Sequence, residues 1–363
     1  MRIIVVIIEK KKDMRKHWKF IMMLLLLFMF RAGAQEYSPC YINNMSKGNT
    51  AYNQGRYSEA RTYYVDAKRC AGGDPTVAQQ KISACDAKLK EQRDAEKLAE
   101  EKRRAEQEAE EVKRKAEEEA KKRPKFTVNS VIFNMILVNG DTFKMGNNEG
   151  GENDKPEHYV TLSDFYIAET EVTQALWNAV MGLDLEVSGR WTDEYDHGSD
   201  YPAYRLSWIE CHQFCEELNN KLSGQLPLGY RFALPTEAQW EFAARGGSMG
   251  HGYKYSGGNT VKELAWYDGN SGGKMHPVKN KQANELGLYD MSGNVREWCL
   301  DWTGDYSDAA QTDPQGPSSG TFRVLRGGCW SSSAWYCRVT YRYDGVPEDR
   351  VINYGFRLAL VRQ

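Results

Sequence analysis

Leu325-Arg326-Gly327-Gly328-Cys329-Trp330, followed by Asn353-Tyr354-Gly355-Phe356-Arg357, is the part of this sequence that decides its fold. Each segment places an arginine among glycines and large apolar residues. We expect both arginines to brace the fold through buried hydrogen bonds, because a buried charge needs partners. The alternative is direct contact with a ligand. Between the two segments, Ser332 and Cys337 lie five positions apart.

Residues 126–363 are rich in glycine and aromatic side chains and have short apolar runs. This pattern predicts an α+β domain with much loop. Strands are expected within 127–138, and amphipathic helices over 173–181 and 208–222. A third helix is expected to open at Pro235, with Thr236 as its N-cap.

Four more segments extend the pattern in chain order: residues 142–146, 170–174, 234–241 and 287–298. Together with the two C-terminal segments, they resemble the formylglycine-generating enzyme (sulfatase-modifying factor) family over residues 126–363. The resemblance implies a compact α+β fold, low in regular structure and akin to C-type lectins.

In catalytic members of this family, two cysteines five positions apart hold one copper ion that oxidises a cysteine of a client sulfatase. The matching residues here are Ser332 and Cys337, a degenerate copper-ligand pair. Copper(I) prefers soft sulfur ligands, whereas a serine hydroxyl stays protonated and hard. Copper is therefore not expected, although Cys329 could supply a substitute sulfur. Cys337 is expected to be a buried small side chain rather than a functional thiol.

The resemblance also implies a calcium site formed by the Asp290 and Glu297 carboxylates and the Gly293 and Val295 carbonyls. Hard oxygen ligands on an irregular loop suit calcium. The alternative is a turn in which Asp290 caps backbone amides and Glu297 pairs with an arginine. Arg296 stands where the family commonly has tryptophan, near the expected position of a substrate peptide, so an altered groove is expected.

Residues 1–34 predict an export signal. Basic residues precede an apolar run at 20–30, and Ala32-Gly33-Ala34 offers a cleavage site. As a helix, these eleven apolar residues would rise only about 16 Å, short of the roughly 30 Å hydrocarbon layer. Arg31 lies between the run and the cleavage site and leaves an uncleaved anchor open. We expect a periplasmic or cell-surface protein without a membrane span after cleavage.

Residues 35–85 resemble one tetratricopeptide helical hairpin, in which Gly48 and Ala60 allow close helix approach and Gly55 makes the turn. This helical module is expected to bind protein partners. Residues 86–125 are almost entirely charged residues, glutamine and alanine, which predicts a solvated helical spacer that ends at Pro124. The alternative is a coiled-coil dimerisation seam, although alanine buries little area there.

The eight cysteines fit an exported protein, in which disulfides persist. Two of Cys40, Cys70 and Cys85 in the helical module are expected to pair. The family resemblance brings Cys299 and Cys329 into one core and leaves a bridge between them open.

The net charge of −2 gives no reason to expect nucleic acid as a partner. We therefore predict an exported protein whose family domain lacks copper-dependent oxidation and binds a peptide or envelope ligand in its groove. The alternative is an active formylglycine-generating or related maturation enzyme that acts on a periplasmic client.

Overall fold

Three helices begin the computed structural model, which describes residues 36–182, 185 and 188–362. Helix α1 spans Pro39–Asn53, α2 spans Tyr57–Arg69 and α3 spans Pro75–Lys122. The chain packs as two units that divide between Val112 and Lys113. The expected export signal lies outside the described residues. In the ranges described, no helix combines the length and the apolar character needed to cross a bilayer.

Small residues let α1 and α2 pack closely, as their spacing predicts. A Cβ atom on Gly48 would lie 2.6 Å from Cε1 of Tyr64, so only glycine fits beneath that ring. The Tyr64 hydroxyl donates to Asn49 Oδ1 at 2.8 Å. Gly55 turns the chain between the helices with φ +75°. The helical hairpin is therefore present, whereas its tetratricopeptide assignment stays a prediction.

A disulfide joins Cys40 and Cys70, with their Cα atoms 5.9 Å apart. It is one of the pairings expected in the helical module. The other six cysteines are free and buried. The bridge that the resemblance left open between Cys299 and Cys329 is not formed: Cys299 packs in an apolar cluster, while the Cys329 sulfur contacts polar side chains.

Helix α3 runs without a break through the boundary expected near residue 86. Asp74 accepts hydrogen bonds from the amides of Thr76 and Val77 at its start, at 2.9 and 3.2 Å. At about 1.5 Å per residue, its 48 residues rise about 72 Å. Ion pairs three or four residues apart, such as Arg104 with Glu108, line the exposed part of the helix.

The second unit mixes short strands and helices, as the α+β prediction requires. Its helices are α4 (Gln174–Met181), α5 (Trp208–Leu222), α6 (Glu237–Ala244) and α7 (Val261–Leu264). Its strands are β1 (Lys125–Val128), β2 (Val131–Val138), β3 (Thr142–Met145), β4 (His158–Thr161), β5 (Phe165–Ala168), β6 (Tyr230–Ala233), β7 (Arg296–Trp302), β8 (Gln311–Thr312), β9 (Arg323–Arg326), β10 (Tyr343–Gly345), β11 (Tyr354–Gly355) and β12 (Ala359–Arg362).

The strands form sheets of five, four and three, in the orders β1-β2-β5-β12-β6, β10-β9-β7-β11 and β3-β4-β8. The C-terminal strand β12 lies inside the five-stranded sheet, antiparallel to both neighbours. Just before it, Phe356 packs edge-on against Trp177 and Phe214 in the largest core cluster. The two segments quoted at the outset thus contribute β9 and β11 to the same four-stranded sheet, and the second segment continues through the core toward β12.

Arg326 and Arg357 are fully buried and brace the fold, in agreement with the sequence prediction. Arg357 forms two hydrogen bonds of 2.6 Å with Glu297 and donates to the carbonyls of Ala168 and Tyr289. Arg326 donates to Glu241 at 2.5 Å and to three carbonyls in residues 339–341. These contacts compensate for the removal of both cations from water.

The single disulfide predicts a fixed thiol count. After unfolding without reductant, an alkylating reagent should add six tags per chain, and prior reduction should raise the number to eight. Intact-mass spectrometry counts the tags, and peptide mapping should place the protected pair at Cys40 and Cys70. Fewer tags before reduction would reveal a second bridge and contradict the free state of Cys299 and Cys329.

Candidate functional site

A tight turn after β9 carries the predicted site residues Ser332 and Cys337. Gly327 and Gly328 begin it with φ values of +91° and +72°. A Cβ atom on Gly328 would lie 2.7 Å from the Tyr336 carbonyl oxygen and 2.9 Å from Cys337 Sγ. Glycine is needed here, because the turn folds back onto its own end.

Ser332 faces Cys329 and Arg296. Its Oγ accepts a hydrogen bond from the Cys329 amide at 3.1 Å and lies 3.1 Å from Cys329 Sγ. It also accepts one from Arg296 Nη2 at 3.2 Å. The hydroxyl therefore fixes the turn and holds an arginine beside it.

Cys337 packs with Tyr255 and Leu264 in a small apolar cluster. Burial raises the pKa of its thiol to about 12, so that the thiolate is disfavoured at neutral pH. This environment agrees with the prediction of a buried small side chain.

Arg296 and Asn353 converge on Cys329. Arg296 Nη1 and Asn353 Nδ2 each lie 3.1 Å from Cys329 Sγ as hydrogen-bond donors. The guanidinium carbon of Arg296 lies 4.5 Å from the centroid of the Tyr343 ring. We call Arg296, Cys329, Ser332 and Asn353 the arginine–thiol cluster. The sequence alone indicated Arg296, as a departure from the family. It did not indicate Asn353 as a site residue, although Asn353 begins the recognised 353–357 segment.

The arginine–thiol cluster does not fit copper. A copper(I) site needs soft ligands and a neutral or negative surrounding. Here the position of one sulfur ligand carries the Ser332 hydroxyl, and a guanidinium donates to both Ser332 and the nearest sulfur, Cys329.

The two carboxylates predicted to bind calcium, those of Glu297 and Asp290, accept hydrogen bonds from protein donors. Both Glu297 oxygens accept from Arg357, and Oε2 also accepts from Trp240 Nε1 at 2.6 Å. Asp290 Oδ2 accepts from the Lys279 amide at 2.8 Å. These contacts match the alternative of a capped turn with a paired glutamate. Calcium binding itself stays a prediction.

Backbone hydrogen bonds of the other two predicted calcium residues, Gly293 and Val295, hold the turn at residues 290–297 in place, and Glu171 accepts one of them. The Gly293 amide donates to the Gly327 carbonyl at 2.8 Å, and the Val295 amide donates to Glu171 Oε1 at 3.0 Å. Burial, with the nearby charges of Asp290 and Glu297, raises the pKa of Glu171 well above its ordinary value. Burial likewise raises the pKa of Asp290. Glu171 lies in the recognised 170–174 segment, so that segment was a usable signal.

Aromatic side chains surround the turn at the surface. Trp335, Tyr336 and Tyr343 are 47%, 40% and 40% exposed, far more than aromatic residues in the core. Tyr341 packs edge-on against Tyr336 at 4.9 Å. We call Trp335, Tyr336, Tyr341 and Tyr343 the aromatic rim.

Glu297→Gln is expected to lower the free energy of unfolding by about 3–5 kcal/mol, because it leaves the buried Arg357 without a charged partner. Urea unfolding followed by tryptophan fluorescence measures the loss, which should be the same in millimolar calcium and in excess EDTA. The control Glu216→Gln removes an exposed partner of Arg231 and should cost less than about 1 kcal/mol. A calcium-dependent gain in stability that Glu297→Gln abolishes would instead support the calcium site.

Comparison with known proteins agrees with this architecture. Among relatives, the "Chaperone protein LppX" of Paenibacillus barcinonensis is 33% identical over 253 residues, which cover 57% of this chain and 82% of LppX. The "Serine/threonine-protein kinase pkn1" of Chlamydia caviae is 30% identical over 66% of this chain, but the chain spans only 39% of that protein. The formylglycine-generating enzyme of Streptomyces coelicolor is 30% identical over 61% of this chain and 85% of its own length.

Among solved structures, "Treponema denticola variable protein 1" superposes with a TM-score of 0.58 at 37% identity, covering 65% of this chain and 98% of its own. Residues 117–362 match the model of the sulfatase-modifying factor enzyme 1-like domain. The predicted resemblance is thereby confirmed, and the chain belongs to the sulfatase-modifying factor enzyme 1-like family.

Proposed function

We propose that this protein is an exported, non-oxidising member of its family that binds a protein or peptide ligand during assembly of the cell envelope. One observation carries the proposal: the Arg296 guanidinium donates hydrogen bonds to Cys329 and Ser332, at the position where catalytic relatives bind copper. A fixed organic cation thus takes the place of a metal cation.

The hydrogen bonds of the cluster support the loss of copper at this position. Arg296 Nη1 donates to the Cys329 sulfur at 3.1 Å, so a metal ion on that sulfur would have to displace this donor. The Ser332 hydroxyl adds no compensating soft ligand. Cys337 would also have to lose its proton against the burial that raises its pKa to about 12.

The composition of the neighbouring surface supports a protein ligand. Tyrosine, tryptophan and arginine are enriched in protein interfaces, where they provide large contact areas at a low entropic cost. The aromatic rim and Arg296 supply these residue types around one turn. The buried Arg338, which pairs with Asp154, stacks 3.6 Å from the centroid of the Trp335 ring and holds that ring in place at the surface.

The N-terminal unit supports export and an assembly role. The Cys40–Cys70 disulfide is typical of oxidising compartments, which agrees with a periplasmic or cell-surface location. The helical hairpin is compact enough to act as a tetratricopeptide-like module for protein partners. The name of LppX, a chaperone protein, points in the same direction.

The second candidate is an active maturation enzyme for a periplasmic client. It is favoured by the similarity to the Streptomyces coelicolor formylglycine-generating enzyme and by the polar contacts of the Cys329 thiol. In that case Cys329 would have to replace the sulfur that Ser332 lacks.

Copper retention and peptide oxidation distinguish the two candidates. The full chain is loaded with copper(I), desalted and incubated in air with a peptide that bears a sulfatase cysteine motif. We expect no retained copper and no peptide aldehyde by mass spectrometry. Ser332→Cys alone should retain little copper because the guanidinium remains, whereas Ser332→Cys with Arg296→Trp should retain it. An aldehyde produced by the natural protein would overturn the non-oxidising proposal.

Ligand capture tests the binding surface. Tyr343→Ser should reduce the recovery of the ligand from an envelope extract by about tenfold, since a buried interface tyrosine commonly contributes more than 1 kcal/mol. The control Tyr159→Ser removes a tyrosine that is 54% exposed in β4, outside the aromatic rim, and should leave recovery unchanged. Quantitative mass spectrometry of captured proteins measures both. Equal recovery by the two variants would count against the aromatic rim.

A further inference from the structure

Helix α3 carries an exposed stripe at alternating spacings of four and three residues. We call it the seam, and its residues are Leu98, Lys102, Ala105, Ala109, Val112, Ala116 and Glu119. Leu98 is 54% and Val112 is 68% exposed. This spacing matches the core positions of a heptad repeat, which two helices can bury together.

We propose that the seams of two copies of this chain pair in antiparallel orientation, with Ala109 opposite Val112 of the second copy. The occupant of the seam is thus a second copy, and the interface is a short, two-fold symmetric coiled coil. Charge complementarity in this one register carries the proposal.

The seam itself contains one charge of each sign. In the proposed register Lys102 lies opposite Glu119 of the second copy, and Ala105 lies opposite Ala116. The contact between Lys102 and Glu119 therefore occurs twice in the dimer, once on each side of the two-fold axis. Alanine at the intervening layers lets the two backbones approach closely.

The positions that flank the seam are complementary in the same register. In an antiparallel pair, the residues beside one edge of the seam face the same edge of the partner. One edge brings Glu106 opposite Lys113, and the other brings Glu108 opposite Lys115 and Glu101 opposite Lys122. All three contacts join opposite charges.

Other registers lose this complementarity. If the centre of the antiparallel pair moves toward the N-terminus by one heptad of register, Glu106 and Glu108 each lie opposite their own copies. If it moves the other way, Lys113 and Lys115 each lie opposite their own copies. A parallel pair keeps Glu108 against Lys113, but it brings Lys102 against Lys102, Glu119 against Glu119 and Glu101 against Glu106. Like charges at such positions disfavour pairing, so the sequence discriminates against these arrangements.

Ion pairs within the helix do not prevent this interface. Arg104 pairs with Glu108 and Lys113 with Glu117, and all four side chains are more than half exposed. Exposed pairs of this kind contribute little free energy, and a carboxylate can accept from two cations. The short, alanine-rich seam predicts a modest affinity that is sensitive to salt.

Disulfide trapping tests the register on the full chain. Ala105→Cys and Ala116→Cys are prepared separately, mixed and oxidised mildly, with the natural chain as control because its free thiols are buried. The proposal predicts a mixed dimer and no self-dimers, since each new cysteine lies about 16 Å along the axis from its own copy, beyond disulfide reach. Self-dimers without the mixed dimer would indicate a parallel pair and overturn it.

Charge exchange tests the interface by sedimentation equilibrium. Lys102→Glu should weaken self-association at least about tenfold, and the double variant Lys102→Glu with Glu119→Lys should restore it to within about threefold. Lys121→Glu makes the same change of charge on the opposite face of the helix and should have little effect. A natural chain that stays monomeric at high micromolar concentration, or a double variant that is not restored, would overturn the proposal.

Discussion

The buried ion pair between Arg357 and Glu297 determines how the C-terminal domain holds together. It joins residues 60 positions apart, and neither side chain reaches solvent. A buried charge of either sign without its partner is unstable, so the C-terminal segment and β7 must come together for the domain to fold. Arg326 and Glu241 repeat this arrangement between β9 and α6. The four-stranded sheet, which contains both β7 and β9, is thereby anchored by specific polar contacts in addition to apolar packing.

The same constraint positions the candidate site. Side chains alternate along β7, so the inward direction of Glu297 sends its neighbour Arg296 toward the opposite face. There the guanidinium meets the turn after β9, while the Asn353 carbonyl accepts a hydrogen bond from the Arg296 amide at 2.8 Å. The position of Arg296 beside Cys329 and Ser332 is therefore fixed by the core of the protein.

Local signals in the sequence predicted three helices and the first two strands of the second unit, but not the other ten strands of the described residues. Thr173 and Thr236 each cap the helix that follows, and the strands within 127–138 form as expected, because caps and alternation act over a few residues. The bracing roles of Arg326 and Arg357 also followed from their segments. No structural break marks the boundary expected at residue 86, because α3 starts at Pro75 behind the Asp74 cap and continues through it; the Asp74-Pro75 pair was the available signal.

The contacts of the arginine–thiol cluster were beyond sequence reasoning. Arg296 lies 33 and 36 positions from Cys329 and Ser332, and such pairings depend on sheet register rather than on spacing. Cys329 itself has no solvent-accessible surface. A reagent can therefore attack this thiol only when the turn opens, and the rate of its modification reports how often that happens. The natural chain thus carries a built-in chemical probe for local opening of the turn that a ligand would contact.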